Sequence, residues 1–204
     1  MFSMSRRQPS SNPPLRLAAP RSGAASGKQG YPAKLKRSGV GSSFRIIGID
    51  PGIERTGYGV IERRHGVTAC LTYGCITTAR SQPTPERLYV LFREVRELIA
   101  AYRPALVAVE TLLFGKNAKT GIVVGEARGV ILLAIAEARR PLLEVTPLQV
   151  KQALTAYGRA EKSQVQYMVR QVLKLNEIPK PDDAADALAV ALAAEQSYVF
   201  LQRR

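Results

Sequence analysis

The stretch RIIGIDPG, residues 45–52, decides the fold of this chain. Its three β-branched isoleucines predict a central strand that is buried on both faces of a sheet. The Pro-Gly pair that follows Asp50 predicts a turn, so the strand ends in a carboxylate. An ionised carboxylate in that place is costly unless it is paired, hydrogen-bonded or bound to a metal. Asp50 is therefore the first candidate functional residue.

Acidic residues recur at the ends of two other apolar segments. The run ALVAVE, residues 105–110, predicts a second buried strand that ends in Glu110. The run DDAADALA opens the last predicted helix, and its Asp183 and Asp186 share one helix face because they are three residues apart. Helix capping explains an acid at the first positions. It explains Asp186 less well, because this residue lies beyond the first turn among apolar neighbours.

The order of the predicted elements indicates an α/β fold. Short turns join the first three strands and favour antiparallel pairing, and helices alternate with strands afterwards. This pattern predicts a mixed five-stranded sheet with helices on both faces. The predicted strands cover residues 45–50, 57–62, 67–78, 105–110 and 142–146, and the predicted helices cover residues 84–102, 117–138, 147–156, 161–175 and 182–196.

Composition divides the chain into a basic tail and one domain. Residues 1–43 contain eight Lys or Arg, five Pro and no Asp or Glu. Such a segment cannot bury enough apolar surface to offset its ordering entropy. We expect a disordered tail at residues 1–43, a folded domain at residues 44–196 and a C-terminal tail at residues 197–204. A transit peptide and an over-extended start are the alternatives for the first segment.

The net charge of +14 favours a polyanionic partner, and nucleic acid fits better than a membrane surface. The tail supplies +8 of this charge, which leaves +6 for the rest. No apolar run approaches the roughly 20 residues of a membrane span. The two cysteines fit a reducing, cytoplasmic setting. Cys70 and Cys75 are five residues apart on one predicted strand, so we expect them to face opposite sides of the sheet.

The acids at the three apolar segments form a candidate metal site: Asp50, Glu110, Asp183 and Asp186. Oxygen ligands without His or Cys favour Mg²⁺, with Mn²⁺ as the alternative. Two such ions can activate a water and stabilise the leaving oxygen in phosphodiester cleavage. An exposed strand end is the alternative interpretation of Glu110.

The motifs of this chain resemble those of the RuvC Holliday-junction resolvases, in order, from about residue 45 to residue 193. They are GIDPG at 48–52, TGYG at 56–59, VE at 109–110, KN at 116–117, ARG at 127–129, VKQ at 150–152, AEKSQVQ at 160–166 and DAADAL at 183–188. The resemblance implies a ribonuclease H-like fold, a homodimer, and metal-dependent symmetric nicking of four-way DNA junctions in recombination and repair. It also implies the RuvA–RuvB branch-migration complex as a partner.

The same resemblance assigns the family's catalytic carboxylates to the four acids of the candidate metal site. Asp182 is an extra acid beside the last motif and receives no ligand role. The family has an aromatic residue three positions after the catalytic Glu, where it stacks at the opened junction. This chain has Leu113 there, and Phe114 follows. Phe114 is a candidate for the stacking role, because a ring offers a π-face to any base. A core or interface phenylalanine is the alternative.

Four lysines are candidate DNA-binding residues because they lie near the family's active-site motifs: Lys116, Lys119, Lys151 and Lys162. A lysine beside a scissile phosphate can neutralise developing charge. A solvated charge, or one that only positions phosphate, is the alternative for each of them.

The predicted helix at residues 117–138 is apolar on nearly all sides, which predicts burial of more than one face. Gly121, Gly125 and Gly129 recur every four residues and would let another backbone approach closely. One face can meet the sheet and another a second subunit, consistent with the homodimer that the resemblance implies. Close packing within one chain is the alternative.

Two other functions compete with a junction nuclease. Actin-like ATPases and sugar kinases also place an Asp-containing strand before a Gly-rich turn. This chain is too short for their two-lobed architecture and lacks a second phosphate loop. A non-catalytic junction-binding protein of the same fold would keep four buried carboxylates without using them, which would destabilise the fold.

Deletion of residues 1–43 is expected to weaken DNA binding and to flatten its dependence on salt, because fewer counterions are released. Selectivity for a four-way junction over a duplex should survive. The measurement is the dissociation constant of both DNAs over a series of salt concentrations, with and without the segment. A loss of selectivity would show that the segment reads DNA structure.

Overall fold

One mixed sheet forms the centre of the computed structural model, which describes residues 43–111 and 118–202, with side chains for 43–111 and 121–200. Its strands are β1 (Phe44–Asp50), β2 (Arg55–Arg64), β3 (Val67–Thr77), β4 (Leu106–Glu110) and β5 (Leu142–Val145). The strand order is β3-β2-β1-β4-β5. β1, β2 and β3 pair antiparallel, whereas β4 lies parallel to both β1 and β5. The predicted mixed five-stranded sheet is confirmed.

Helices cover both faces of this sheet: α1 (Thr84–Tyr102), α2 (Ala118–Glu137), α3 (Pro147–Thr155), α4 (Lys162–Val172) and α5 (Asp182–Gln202). On one face, α1 and α2 share a buried core with Ile47, Ile49 and Val107. On the other face, α3, α4 and α5 bury Ile46 and Leu106. None of the helices in the described ranges is long and apolar enough to cross a membrane.

The alanine-rich helix α5 lies directly on β1 and β2. Gly48 and Gly57 face it, and a Cβ atom at either position would overlap the α5 backbone, at Ala187 and Asp183 respectively. Only glycine permits this approach. The first turns of α5 therefore come to lie beside the end of β1, where Asp50 is.

Helix α5 is longer than the sequence predicts, because it continues past residue 196 to Gln202. Residues 197–202, expected in a C-terminal tail, are therefore helical. Tyr198 is only 2% exposed, and its ring centroid lies 4.8 Å from that of Phe44. This contact with the first strand gives the last turns of the helix an apolar partner. Residues 1–42, which fall in the predicted basic tail, lie outside the described residues.

A β-bulge in β3 overturns the prediction for the cysteines. Cys70 pairs with Ile61 and Thr72 pairs with the preceding residue of β2, so Leu71 is the extra residue. One extra residue inverts the alternation of side chains along the strand. Cys70 and Cys75 consequently face the same side, toward α5, and both are free thiols.

Candidate active site

Asp50 and Glu110 end two neighbouring parallel strands. In the pairing of β1 with β4, Ile49 lies beside Val109, so the next residue of each strand stands at the same edge of the sheet. The two side chains lie close enough for each to act on the pKa of the other. The strand register thus brings together two of the four predicted acids.

The surroundings of Asp50 and Glu110 disfavour the ionised form of both side chains. Burial raises the pKa of Asp50 to about 8, and the negative charges of Glu110, Asp186 and Asp183 contribute to the same shift. The pKa of Glu110 is raised as well, mainly by burial and further by the charge of Asp186. Both causes disfavour the ionised carboxylates, and a bound cation would oppose both.

Helix α5 contributes the other two acids. Asp183 and Asp186 lie three residues apart near its start, and their side chains are 30% and 27% exposed. Burial raises the pKa of Asp186, although the neighbouring Lys162 opposes the shift. The charges of both acids act on Asp50, so the predicted convergence of β1, β4 and α5 at one edge is present.

Lys162 lies among these carboxylates. Its Nζ is 2.8 Å from an oxygen of Asp186 and 3.4 Å from one of Asp182. Burial alone would lower the pKa of this ammonium group, but the two aspartates outweigh it and the pKa is raised. A capping box between Glu161 and Gln164 begins helix α4 at Lys162. This cap fixes the position of the Lys162 backbone.

Arg55 is a site residue that the sequence analysis missed. Its Nη1 lies 3.7 Å from an oxygen of Asp183. It also borders a groove of about 650 Å³ whose wall includes Gly52, Val123 and Val124. The available signal was its position in the sequence, five residues after Asp50 and two residues before Gly57, which contacts α5.

Of the other predicted DNA-binding residues, the structure describes the side chain of Lys151. Lys151 lies on α3, half-buried, and no ion pair in the described part of the chain joins it to a site carboxylate. Leu113, Phe114 and Lys116 lie outside the described residues, as does the side chain of Lys119.

No three His, Cys, Asp or Glu side chains within residues 43–111 and 121–200 are already arranged as a metal site. The ammonium of Lys162 offsets part of the local negative charge instead. The donor set still fits a hard divalent cation. It consists of carboxylates from three elements, and those of Asp50, Glu110 and Asp186 are costly to ionise without a compensating charge.

Known proteins share this sequence and this fold. The family model described as "Crossover junction endodeoxyribonuclease RuvC" matches residues 46–194. Two curated relatives of that description, from Caldanaerobacter subterraneus subsp. tengcongensis and a Roseiflexus species, are each 50% identical to the chain. The matches cover 78% and 79% of this chain and 97% and 96% of the relatives.

Solved structures agree with the sequence comparison. The structure of Thermus thermophilus RuvC in complex with a Holliday junction substrate is 37% identical, with a TM-score of 0.73, over 77% of this chain and 96% of that chain. The yeast mitochondrial Holliday junction resolvase is 14% identical, with a TM-score of 0.60, over 81% of this chain and 83% of that chain. Because the identity is only 14%, this similarity supports a shared fold and nothing about function.

Proposed function

The chain belongs to the RuvC family of crossover junction endodeoxyribonucleases, and we propose that it resolves Holliday junctions by paired, symmetric, metal-dependent nicks. The observation that carries the proposal is the convergence of acids from β1, β4 and α5 at one sheet edge, with Lys162 among them. The net charge of +14 suits a DNA substrate.

We propose that the four acids hold the divalent cations: Asp50, Glu110, Asp183 and Asp186. Mg²⁺ is the expected ion, two per site, with Mn²⁺ as the alternative. When bound, such ions supply an activated water and stabilise the leaving oxygen. The chain's own contribution is to hold the acids at a partly dry edge, where charges interact strongly. Lys162 orients Asp186, and we expect its ammonium to neutralise charge on a phosphate of a bound strand.

The test is a cleavage assay on a synthetic four-way junction, on duplexes of the same sequences and on single strands. Paired nicks are expected in the junction with Mg²⁺ and not with EDTA. Efficient cutting in EDTA, or equal cutting of the duplex, would contradict the proposal. Purified Asp183→Asn protein, prepared in the same way, controls for a contaminating nuclease.

A second element of the proposal is a two-fold dimer that forms through α2. An added Cβ atom at Gly125 or Gly129 would meet no other atom within 4 Å, so these two glycines are not packed against the described part of the chain. Ile122 and Leu133 on the same helix are 64% and 60% exposed. A two-fold enzyme suits a substrate of near two-fold symmetry, because paired sites then nick paired strands.

Leu133→Glu is expected to convert the dimer to a monomer, because it places a charge in an apolar interface. Sedimentation velocity at micromolar concentration measures the state, and the junction assay should then show unpaired nicks. Val67→Glu is the matched control, since Val67 is 63% exposed at the start of β3. A fully active wild-type monomer would contradict the dimer.

We further propose that five residues contact DNA: Phe114, Lys116, Lys119, Lys151 and Lys162. Replacement of a phosphate-contacting lysine by alanine should weaken binding to every sequence and reduce the salt slope by about one. An unchanged slope would remove that lysine from the set. By family resemblance, we also propose the RuvA–RuvB branch-migration complex as a partner, which co-sedimentation on a junction would test.

A further inference from the structure

The loop at residues 51–54 joins two parts of the candidate site, because Asp50 precedes it and Arg55 follows it. Side chains from outside the loop fasten it. The hydroxyl of Thr78 donates to the carbonyl of Ile53 at 2.5 Å and accepts from Nε of Arg87 at 2.9 Å. The backbone N–H of Thr78 donates to the carbonyl of Glu54 at 3.1 Å. We call Thr78 and Arg87 the loop latch.

The loop latch is built from buried and half-buried groups. Thr78 is 7% exposed, and its hydroxyl uses both its donor and an acceptor position. Arg87 on α1 is half-buried, and its Nε is committed to this hydroxyl rather than to a carboxylate. Loss of the hydroxyl would leave the Ile53 carbonyl and the Arg87 Nε without these bonds, which is costly at a buried place.

The loop connects the latch to the candidate site, because Asp50 and Arg55 flank the loop. Arg55 lies 3.7 Å from Asp183, and Asp50 stands beside Glu110 at the same edge of the sheet. Inside the loop, the N–H of Gly52 donates to the hydroxyl of Thr56 at 3.4 Å. The hydrogen bond between Gly52 and Thr56 thus spans the loop, and Thr78, the residue after β3, holds the carbonyls of Ile53 and Glu54.

We propose that Thr78 and Arg87 are positioning residues for the reaction, which hold Asp50 and Arg55 in place against α5. This inference rests on the proposed nuclease function and deepens it. Neither residue makes an ion pair or hydrogen bond with a site carboxylate in the described part of the chain, so both act through the loop. Small displacements matter because a misplacement of about 1 Å can cost roughly 100-fold in rate.

The test compares variants that remove or keep the relevant atoms. Thr78→Val removes the hydroxyl and keeps the shape, whereas Thr78→Ser keeps the hydroxyl. We expect Thr78→Val to lower the single-turnover cleavage rate, at saturating junction and Mg²⁺, by roughly 10- to 100-fold. The junction dissociation constant in EDTA should stay within about two-fold, because the DNA-contacting lysines are unchanged. Thr78→Ser should recover most of the rate.

Arg87→Met is a second variant for the same cleavage assay, and it takes the place of Thr78→Val if that variant does not fold. It should also slow cleavage. The double variant should be little slower than Thr78→Val alone, because both changes break one network. Hydrogen exchange of the metal-free, DNA-free protein should be faster over residues 51–56 in each variant, with the core strands unchanged.

Two control variants separate positioning from stability. Ile99→Val is expected to lower the melting temperature because it removes a buried methyl group. Ile99 is 2% exposed and lies at the other end of α1 from Arg87. Thr77→Val makes the same chemical change at an exposed neighbouring residue. The inference is overturned if Thr78→Val cleaves at the wild-type rate, or if Ile99→Val slows cleavage equally for an equal loss of melting temperature. Failure of the wild-type protein to cut the junction would instead overturn the proposed function.

Discussion

Asp183→Asn is expected to abolish junction cleavage while junction binding stays nearly intact. The substitution removes one proposed metal ligand with little change in volume. The loss should reach at least the roughly 100- to 1,000-fold that follows removal of a single transition-state stabiliser. The dissociation constant should change little, because Asp183 carries a negative charge and offers no attraction to phosphate. Single-turnover cleavage and a binding titration in EDTA measure the two effects on the same junction.

Thermal melts then distinguish a metal ligand from a structural residue. Without metal, Asp183→Asn should melt at the wild-type temperature or above it, since one charge is removed from a crowded acidic site. The ion pair that it loses with Arg55 is long, at 3.7 Å, and the Arg55 side chain is 59% exposed, so its contribution is small. With Mg²⁺, the wild type should gain more stability than the variant, because binding to the native state stabilises by mass action.

Asp182→Asn is the matched control for that experiment. It removes the same charge from the adjacent position, where the side chain is 68% exposed and contacts Lys162. It should cost at most a few-fold in rate. If Asp183→Asn is much less stable than the wild type without metal, Asp183 acts first as a structural partner and its assignment as a ligand weakens.

The sheet was predictable because its signals are local. Apolar runs that end at Asp50 and Glu110, and short turns between the first three strands, are visible in sequence windows of a few residues. The features that were missed depend on contacts between distant residues. Helix α5 extends past residue 196 because Tyr198 meets Phe44 at the other end of the domain. The bulge at Leu71 depends on how β3 pairs with β2.

The same contrast applies to the candidate site. Asp50, Glu110 and Asp186 were found because each ends or interrupts an apolar pattern, which marks a carboxylate that needs a partner. Asp183 was found because it shares a helix face with Asp186 and because it matches a motif of the family. Arg55, Thr78 and Arg87 lie in polar segments where arginine and threonine are ordinary residues. Only the folded chain shows that Arg55 reaches Asp183 and that Thr78 holds the intervening loop.

Asp50→Asn is expected to raise the metal-free melting temperature as well as to abolish cleavage. In the folded protein the pKa of Asp50 is raised from 3.8 to about 8, so the native state binds a proton that the unfolded chain releases. The contribution of this bound proton to the free energy of unfolding is complete below pH about 4 and is lost as the pH rises to about 8. The asparagine side chain cannot ionise, and its amide can donate to Glu110, so the variant avoids this loss.

The difference between the wild type and Asp50→Asn should therefore be small at acidic pH and grow until pH about 8. One pKa unit corresponds to about 1.36 kcal/mol, and 1 kcal/mol moves the midpoint of a chain of this size by about 2–4 °C. We expect the variant to melt at least about 5 °C higher near pH 9 without metal.

Saturating Mg²⁺ should reduce or reverse the difference, because it stabilises the wild-type site by mass action. Glu97→Gln is the control, since it removes a carboxylate that is 67% exposed on α1. It should leave the pH profile unchanged. A wild-type melting temperature that does not fall between pH about 4 and about 8, relative to Asp50→Asn, would show that Asp50 is already ionised without metal. Lys162 and Arg55 alone would then have to compensate the negative charges of the four carboxylates. The stability cost assigned to the acid cluster would be wrong.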